Sequence, residues 1–226
     1  MIPTPIMVIG MHRSGTSCLA GCLEDLGLSM GEVITQAPHN AKGNRENPRL
    51  WDVHDAVLAR VGARWDDPPD QPVVWTLTEK QALRAVLDDY AGLRPPWGCK
   101  DPRATLLLDG WLEVVPDLRL VASIRHPLSV AASLHRRDGL DRETSLRLWR
   151  VYNGIVMDWY DRVGFPVIDY DDPDYATRVR DIARTMGLTA HSPLAFRDDT
   201  LNHNTVSQPA PAMVADAWQT LQGLAK

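Results

Sequence analysis

Residues 5–17, with the sequence PIMVIGMHRSGTS, constrain the fold more than any other part of the chain. Residues 6–9 form an unbroken apolar run rich in β-branched side chains, which indicates a strand buried on both faces, as in a parallel sheet. Gly10 and Gly15 bound the next loop, and apolar residues then recur at helical spacing at Cys18, Leu19, Cys22, Leu23 and Leu26. This order of strand, loop and helix predicts a site where backbone N–H groups bind an anion. The alternative is an ordinary strand-to-helix turn that contains two glycines.

The loop differs at one position from the nucleoside-triphosphate signature G-x-x-x-x-G-K-[ST]. Thr16 stands where that signature has the lysine that reaches the β- and γ-phosphates. The nearest cationic side chains are His12 and Arg13, which precede the second glycine. The loop cation is therefore displaced relative to a triphosphate-binding loop.

Three further segments have the composition of strands, at residues 97–99, 118–124 and 166–170, and helical patterns separate them. Strands that alternate with helices predict an α/β fold, a three-layer α/β/α arrangement with a parallel central sheet of the P-loop nucleotide-binding type. In such sheets ligands bind beyond the carboxyl ends of the strands. Residues 10–17, 100–103 and 125–127 each follow a predicted strand, so we expect them to meet at one edge of the sheet.

Helix boundaries follow from capping and turn residues. Thr78–Gln81 fits a capping box, Pro127 is a favoured first-turn residue, and Asp172 precedes a helix that ends at Gly187. A long apolar stripe predicts a helix over residues 142–163. Residues 188–209 are polar and are expected to form a loop before a final helix that carries Val214, Ala217, Trp218 and Leu221.

Composition bounds the class of protein. At 226 residues, a single domain over residues 1–226 is expected. The net charge of −5 argues against general binding to nucleic acid or anionic membranes. The sequence contains no run of 18 apolar residues, so no membrane span is predicted. The start lacks the pattern of a secretory signal, and the three cysteines lack metal-ligand spacing, so reduced thiols, a cytoplasmic location and no metal site are expected.

Two motifs resemble the sulfotransferases that use 3′-phosphoadenosine-5′-phosphosulfate (PAPS), a family related to P-loop kinases. The segment HRSGTS at residues 12–17 resembles their 5′-phosphosulfate loop, with Arg13 where many members have lysine. Arg125, Pro127 and Ser133 match R-x-P-x5-S, which in that family holds the 3′-phosphate. An arginine at a strand end offers a bidentate grip on phosphate, although such an arginine also pairs readily with a carboxylate. The resemblance implies these cofactor-binding residues: His12, Arg13, Ser14, Gly15, Thr16, Ser17, Arg125 and Ser133.

A third segment, Lys100-Asp101-Pro102-Arg103, resembles the place where sulfotransferases keep a lysine near the transferred sulfuryl group. Cytosolic members carry a catalytic histidine two residues later, where this chain has Pro102. Other members use a glutamate after the first helix, which implies Glu46 as the general base; the alternative is a surface glutamate placed before a helix N-terminus. Glu32 and His39 are rival bases, and His54 is less favoured because it is predicted on the polar side of a helix.

The resemblance spans residues 6 to about 187 and implies PAPS-dependent transfer of a sulfuryl group to a hydroxyl or amine of a small-molecule, carbohydrate or natural-product acceptor. Arg13 would stabilise the leaving phosphate, Lys100 the sulfuryl oxygens, and 3′,5′-adenosine bisphosphate (PAP) would be the product. The tail at 188–226 lacks the glycine-rich basic loop with which cytosolic members cover the cofactor. Two alternatives are a P-loop kinase for a small metabolite and a nucleotide-binding protein without activity. The kinase would need the missing lysine and an acidic strand end, where this chain has Arg125.

Overall fold

The computed structural model describes residues 5–189, 191–198, 200, 206 and 208–226. Its sheet contains four strands, β1 Ile6–Ile9, β2 Gly98–Lys100, β3 Arg119–Ile124 and β4 Val167–Asp169, in the order β2-β1-β3-β4. All three strand pairs are parallel, and Ile6 is in register with both Gly98 and Arg119. The first strand therefore lies inside a parallel sheet, as its composition predicted.

Eight α-helices connect and cover these strands in the described part of the chain. They are α1 Thr16–Asp25, α2 Pro48–Arg60, α3 Leu77–Leu87, α4 Leu108–Val114, α5 Pro127–Asp138, α6 Arg142–Val163, α7 Tyr175–Thr185 and α8 Ala215–Leu224. A 3-10 segment, Pro102–Leu107, precedes α4. The predicted start of α5 at Pro127 and the predicted span of α6 are both confirmed.

The core lies on both faces of the sheet. Met7 and Ile9 pack into a cluster with residues of α2, α3, α6 and α8. Ile6 and Val8 pack into a second cluster with residues of α1 and α7. Because alternate side chains of a strand point to opposite faces, β1 must be apolar throughout, and the predicted three-layer α/β/α arrangement is confirmed.

Two predicted helix caps were wrong. The capping box of α3 pairs Thr76 with Glu79: the Glu79 N–H donates to Thr76 Oγ1 at 3.3 Å, and the Thr76 N–H donates to Glu79 Oε2 at 2.6 Å. Thr78, the predicted cap, already lies within the helix. Asp174 occupies the N-cap position of α7 without a side-chain capping bond, while Asp172 accepts the Asp174 N–H at 2.7 Å and so shapes the turn before the helix.

No helix among the described residues is both long enough and apolar enough to cross a membrane. The predicted loop at 188–209 lies partly outside the described residues. The final helix begins at Ala215, one residue after the predicted Val214, which belongs to a preceding 3-10 turn.

Candidate active site

A cleft of about 570 Å³ lies where β1, β2 and β3 end. The three predicted segments meet there, because residues 10–17 and 125–127 follow the carboxyl ends of β1 and β3, and segment 100–103 begins with Lys100, the last residue of β2 rather than the first after it as predicted. Every predicted donor-site and catalytic residue except Ser14 lines this cleft: His12, Arg13, Gly15, Thr16, Ser17, Glu46, Lys100, Arg125 and Ser133. The expectation that these segments meet at the carboxyl edge of the parallel sheet therefore predicted the position of this cleft.

The loop after β1 depends on its two glycines. Gly10 has φ +131° and Gly15 has φ +92°, both in a region that favours glycine. A Cβ on Gly10 would lie 2.4 Å from the Ser123 carbonyl oxygen, and one on Gly15 would lie 2.3 Å from the Tyr170 ring. The loop is therefore packed directly against the ends of β3 and β4.

Ser14 ties this loop to β3. Its fully buried hydroxyl lies 2.6 Å from the Met11 carbonyl oxygen and 2.9 Å from that of Ser123, and Ser123 Oγ donates in return to the Ser14 carbonyl at 2.7 Å. The Ser14 N–H donates to Met11 O at 3.2 Å. Because the hydroxyl, the N–H and the carbonyl of Ser14 are all engaged within the protein, this residue shapes the loop and does not line the cleft.

The N-terminus of α1 opens into the cleft. Its N-cap is Gly15, which supplies no side-chain cap, and Thr16 and Ser17 in the first turn line the cleft. First-turn N–H groups have no partner within a helix, and the helix dipole adds a partial positive charge there. The arrangement is suited to an anion.

Arg13 stands beside this helix end in the left-handed backbone region, with φ +68°. Its Nε donates to Ser133 Oγ at 2.8 Å, and its Nη1 donates to the His39 carbonyl at 3.2 Å. Burial, followed by repulsion from Arg137 and Arg125, lowers the pKa of Arg13 to about 10. The guanidinium remains charged at neutral pH, and an anion in the cleft would relieve this repulsion.

His12 differs from Arg13 in its charge. Its ring centroid lies 4.5 Å from that of Trp65 and 6.0 Å from that of Tyr152. Burial, together with Arg137 and Arg103, holds the pKa of His12 well below its usual value. His12 is therefore neutral at pH 7, and of the two cationic side chains identified in the loop sequence only Arg13 carries charge.

Arg125 follows β3 and is buried beside Ser133 at the cleft. Its Nε donates to Asp171 at 3.0 Å, and its guanidinium lies over the Tyr170 ring, 4.6 Å from the centroid. The carboxylate and the ring fix the plane of the guanidinium, which limits the side-chain entropy lost when it binds an anion.

Glu46 and Lys100 form a buried ion pair at the other side of the cleft. Lys100 Nζ donates to Glu46 Oε1, and the two side chains are 2% and 7% exposed. Trp51 Nε1 donates to the other carboxylate oxygen, and Arg103 Nη1 lies 3.8 Å from that same atom. The predicted base thus meets the predicted lysine, across 54 positions in the sequence.

The local backbone explains where Glu46 lies. The Ile34 N–H donates to the Glu46 carbonyl at 2.9 Å, and the next residue, Asn47, is the N-cap of α2. Asn47 Oδ1 accepts the Arg49 N–H at 2.9 Å, and Asn47 Nδ2 donates to the Tyr90 hydroxyl at 3.0 Å. Glu46 is therefore held at a defined helix start.

The rival bases are placed differently. His39 lines the cleft, but Glu32 is exposed and does not line it. The prediction that His54 lies on a polar helix face is wrong, because its side chain is fully buried between Asp101 and Trp111. Helical spacing cannot reveal a buried polar residue whose partners come from distant segments.

Several residues that line the cleft were not predicted from the sequence, among them Lys42, Trp51, Trp65, Arg137 and Tyr170. Arg137 follows Ser133 by one helical turn, a spacing that could have identified it. Among the residues that the structure describes, the cleft is lined by seven Lys and Arg side chains (Arg13, Lys42, Lys100, Arg103, Arg125, Arg136 and Arg137) against three acidic ones (Glu46, Asp138 and Asp198). This local excess of cations contrasts with the net charge of −5 of the whole chain.

The fold and the cleft together define an α/β protein in which a glycine-bounded loop and a helix N-terminus face a cleft rich in cationic side chains, beside a buried Lys–Glu pair. The model of the sulfotransferase family matches residues 5–172, and the chain belongs to that family. A search of curated protein sequences finds no match. Among the described residues, no group of His, Cys, Asp and Glu side chains is arranged to hold a metal ion.

Solved structures share the fold. A sulfotransferase from Mycobacterium avium has a TM-score of 0.54 and 16% identity, over 99% of this chain and 75% of that one. The sulfotransferase domain of the olefin synthase from Synechococcus PCC 7002 has a TM-score of 0.53 and 19% identity, over 99% and 96%. A sulfotransferase from Alicyclobacillus acidocaldarius has a TM-score of 0.50 and 18% identity, over 100% and 92%.

Proposed function

We propose that this chain transfers a sulfuryl group from PAPS to a hydroxyl or amine of a small acceptor. The observation that carries the proposal is the contact between Lys100 and Glu46 in the cleft that also contains the anion loop. A group that neutralises sulfuryl oxygens and a group that accepts a proton are thereby placed side by side. The kinase alternative is not favoured, because Thr16 replaces the lysine that it needs.

The donor fits the charges of the cleft. The N-terminus of α1 and Arg13 would hold the 5′-phosphosulfate, and Arg125 and Ser133 would hold the 3′-phosphate. Support comes from the excess of cations and from the uncapped helix end. The Arg13–Ser133 hydrogen bond joins the two anion-binding regions. PAPS supplies the activated sulfuryl group, and the protein supplies position and charge.

Sulfuryl transfer is an in-line displacement in which the protein contributes mainly orientation and electrostatic stabilisation, as argued for phosphoryl transfer. Arg13 and the loop N–H groups would stabilise the charge that develops on the departing phosphate. Lys100 would offset charge on the sulfuryl oxygens. Glu46 would accept the proton from the acceptor as the new bond to sulfur forms.

Calorimetric titration with PAP, AMP and ATP tests this function without knowledge of the acceptor. We expect PAP to bind at least tenfold more tightly than AMP or ATP, because AMP lacks the 3′-phosphate and the ATP γ-phosphate would lack its lysine. Tighter binding of ATP than of PAP would contradict the proposal and would favour the kinase.

A further inference from the structure

Asp101 lies between two residues that contact Glu46, yet it does not itself reach the cleft. Lys100 precedes it and Arg103 follows two positions later, and both line the cleft. The Asp101 side chain is 1% exposed and is not among the cleft-lining residues. A buried carboxylate is costly unless its partners satisfy it, so its contacts indicate its role.

Both oxygens of Asp101 are satisfied. Oδ1 accepts the Arg103 N–H at 2.9 Å and Arg103 Nη1 at 3.1 Å. Oδ2 lies 2.8 Å from His54 Nδ1. Burial alone would raise the pKa of Asp101, but the hydrogen bond from His54 and the positive charge and hydrogen bonds of Arg103 outweigh it and hold that pKa below its usual range. The Asp101 carboxylate therefore stays ionised while it accepts hydrogen bonds from Arg103.

The partner of His54 fixes its protonation. Trp111 Nε1 lies 2.8 Å from His54 Nε2, and an indole nitrogen can only donate. His54 Nε2 must therefore be the unprotonated acceptor, and Nδ1 carries the hydrogen that is donated to Asp101. The side chain is fully buried, so no solvent competes for either nitrogen.

Arg103 connects the hydrogen-bonded residues Trp111, His54 and Asp101 to Glu46. Besides its bonds to Asp101, Arg103 places its Nε 2.7 Å from Asp55 Oδ1. Its guanidinium carbon lies over the Trp51 ring, 5.2 Å from the ring centroid. Trp51 donates to Glu46 Oε2, the same oxygen that Arg103 Nη1 approaches. Arg103 thus fixes the indole that holds the carboxylate and adds positive charge on the same side.

We propose that Asp101 and His54 are positioning residues for Glu46, acting through Arg103 and Trp51 from behind the cleft wall. The proposal rests on the proposed function for the role of Glu46. A Trp111–His54–Asp101 chain of hydrogen bonds holds the Arg103 guanidinium, and Arg103 in turn holds Trp51 against Glu46. The proton acceptor is thereby pre-oriented before any acceptor substrate arrives.

The chain requires a carboxylate at position 101. In Asp101→Asn, the amide oxygen can still accept from Arg103, but the amide N–H₂ group then faces His54 Nδ1. His54 cannot accept hydrogen bonds at both nitrogens, because a neutral imidazole has one acceptor nitrogen. Asp101→Asn therefore breaks one bond of the chain while it preserves side-chain volume.

Indole N–H signals in ¹H–¹⁵N NMR spectra test the contacts without any activity assay. The chain has 8 tryptophans, of which Trp111 reports on His54 and Trp51 reports on Glu46. We expect Asp101→Asn to shift both of these signals. The control is Asp52→Asn, the same change at an exposed residue of α2, which should shift neither. An unmoved Trp51 signal in Asp101→Asn overturns the proposal, whichever reaction the protein catalyses.

Double-variant kinetics test the consequence for turnover. The assay measures release of sulfate from ³⁵S-labelled PAPS with water as the acceptor. We expect Asp101→Asn to lower this rate by about 10–100-fold in the wild-type background and less than twofold in Glu46→Gln, because residues that act as one unit are not additive. Equal losses in both backgrounds, or no loss in either, overturn the proposal.

Two controls separate this inference from the proposed function. PAP affinity should change less than twofold in Asp101→Asn, since the donor-site residues are untouched. A Glu46→Gln variant that releases sulfate at the wild-type rate would contradict the function assigned to Glu46. The NMR experiment would still decide whether Asp101 and His54 position Glu46 through Arg103 and Trp51. If Asp101→Asn does not fold, histidine ¹⁵N spectra of the wild type serve instead: a doubly protonated His54, or hydrogen on Nε2, overturns the proposal.

Discussion

Arg13 and Ser133 are 120 positions apart, and the Nε–H of Arg13 donates to the Ser133 hydroxyl at 2.8 Å. Because that hydroxyl accepts from Arg13, its own hydrogen is available to donate toward the cleft. The loop cation and the serine of the R-x-P-x5-S motif are therefore one hydrogen-bonded unit. Changes at either residue should affect binding of the same ligand.

Ser133→Ala removes both the acceptor of Arg13 and a donor to the ligand. A hydrogen bond contributes about 0.5–1.5 kcal/mol, so loss of the bond to the ligand should lower PAP affinity by roughly 2- to 13-fold. Ser129→Ala is the matched control: Ser129 is buried on the same helix one turn earlier but does not line the cleft. Calorimetry on both variants checks the expectation, and equal losses would show that the effect comes from α5 as a whole.

Arg125→Ala should weaken PAP binding more than AMP binding. A hydrogen bond to a charged group contributes about 1.5–3 kcal/mol, so PAP affinity should fall by on the order of tenfold or more, with a smaller loss for AMP, which lacks the 3′-phosphate. Arg119→Ala, at the opposite end of β3, should leave both affinities unchanged. Equal losses for PAP and AMP would assign Arg125 to holding Asp171 and Tyr170 in place.

The sheet was predictable from the sequence because a strand that is buried on both faces has an uninterrupted run of apolar residues. Ile6–Ile9 is apolar at every position since each face of β1 packs against its own cluster. The α3 cap was harder, because Thr76 and Thr78 are each followed three residues later by a suitable partner. Burial of Trp75, at 2% exposure, holds the chain against the core just before Thr76 and sets the helix start.

The position of the candidate site was predictable where its segments lie at strand ends, and its side-chain contacts were not. Lys100 and Glu46 could be expected to meet, because both segments lie at the carboxyl edge of the sheet. The burial of His54 depends on Asp101 and Trp111, which are 47 and 57 positions away, and no local pattern marks such a contact. Trp51 was likewise missed, because its indole N–H identifies it only once Glu46 is in place.

Asp169 makes stability depend on pH. Burial, with added repulsion from Asp171 and Asp172, raises the pKa of Asp169 from 3.8 to about 6. Between these two values the folded state keeps a proton that the unfolded state has lost, so stability falls as pH rises through this window and stays lower above it. Asp169→Asn removes this charge and can keep the acceptor for the Asp171 N–H.

We therefore expect Asp169→Asn to be more stable than the wild type by about 1–3 kcal/mol at pH 8, with the difference shrinking toward pH 4. Urea unfolding at both pH values gives the two free energies. Asp174→Asn, an exposed change in the turn before α7, serves as the control. A constant difference across this range would show that the charge of Asp169 does not contribute.

Glu46→Gln tests the base. The amide keeps the shape of the side chain and an acceptor oxygen for Lys100 but cannot take a proton from the acceptor. We expect PAP affinity to remain within a few fold, and the release of sulfate from ³⁵S-labelled PAPS to fall by roughly 10²–10⁴. Thermal melting of the variant must be checked, because Lys100 is 2% exposed and loses its counter-charge.

Glu32→Gln and His39→Asn complete this test, because they change the two rival bases. Glu32 is exposed outside the cleft, so its variant should keep the wild-type rate. His39 lines the cleft, but its carbonyl already accepts from Arg13, and that contact belongs to the backbone and survives the substitution. His39→Asn should therefore lower the rate by less than tenfold. A large loss in His39→Asn alongside a retained rate in Glu46→Gln would move the role of the base from the carboxylate to the imidazole.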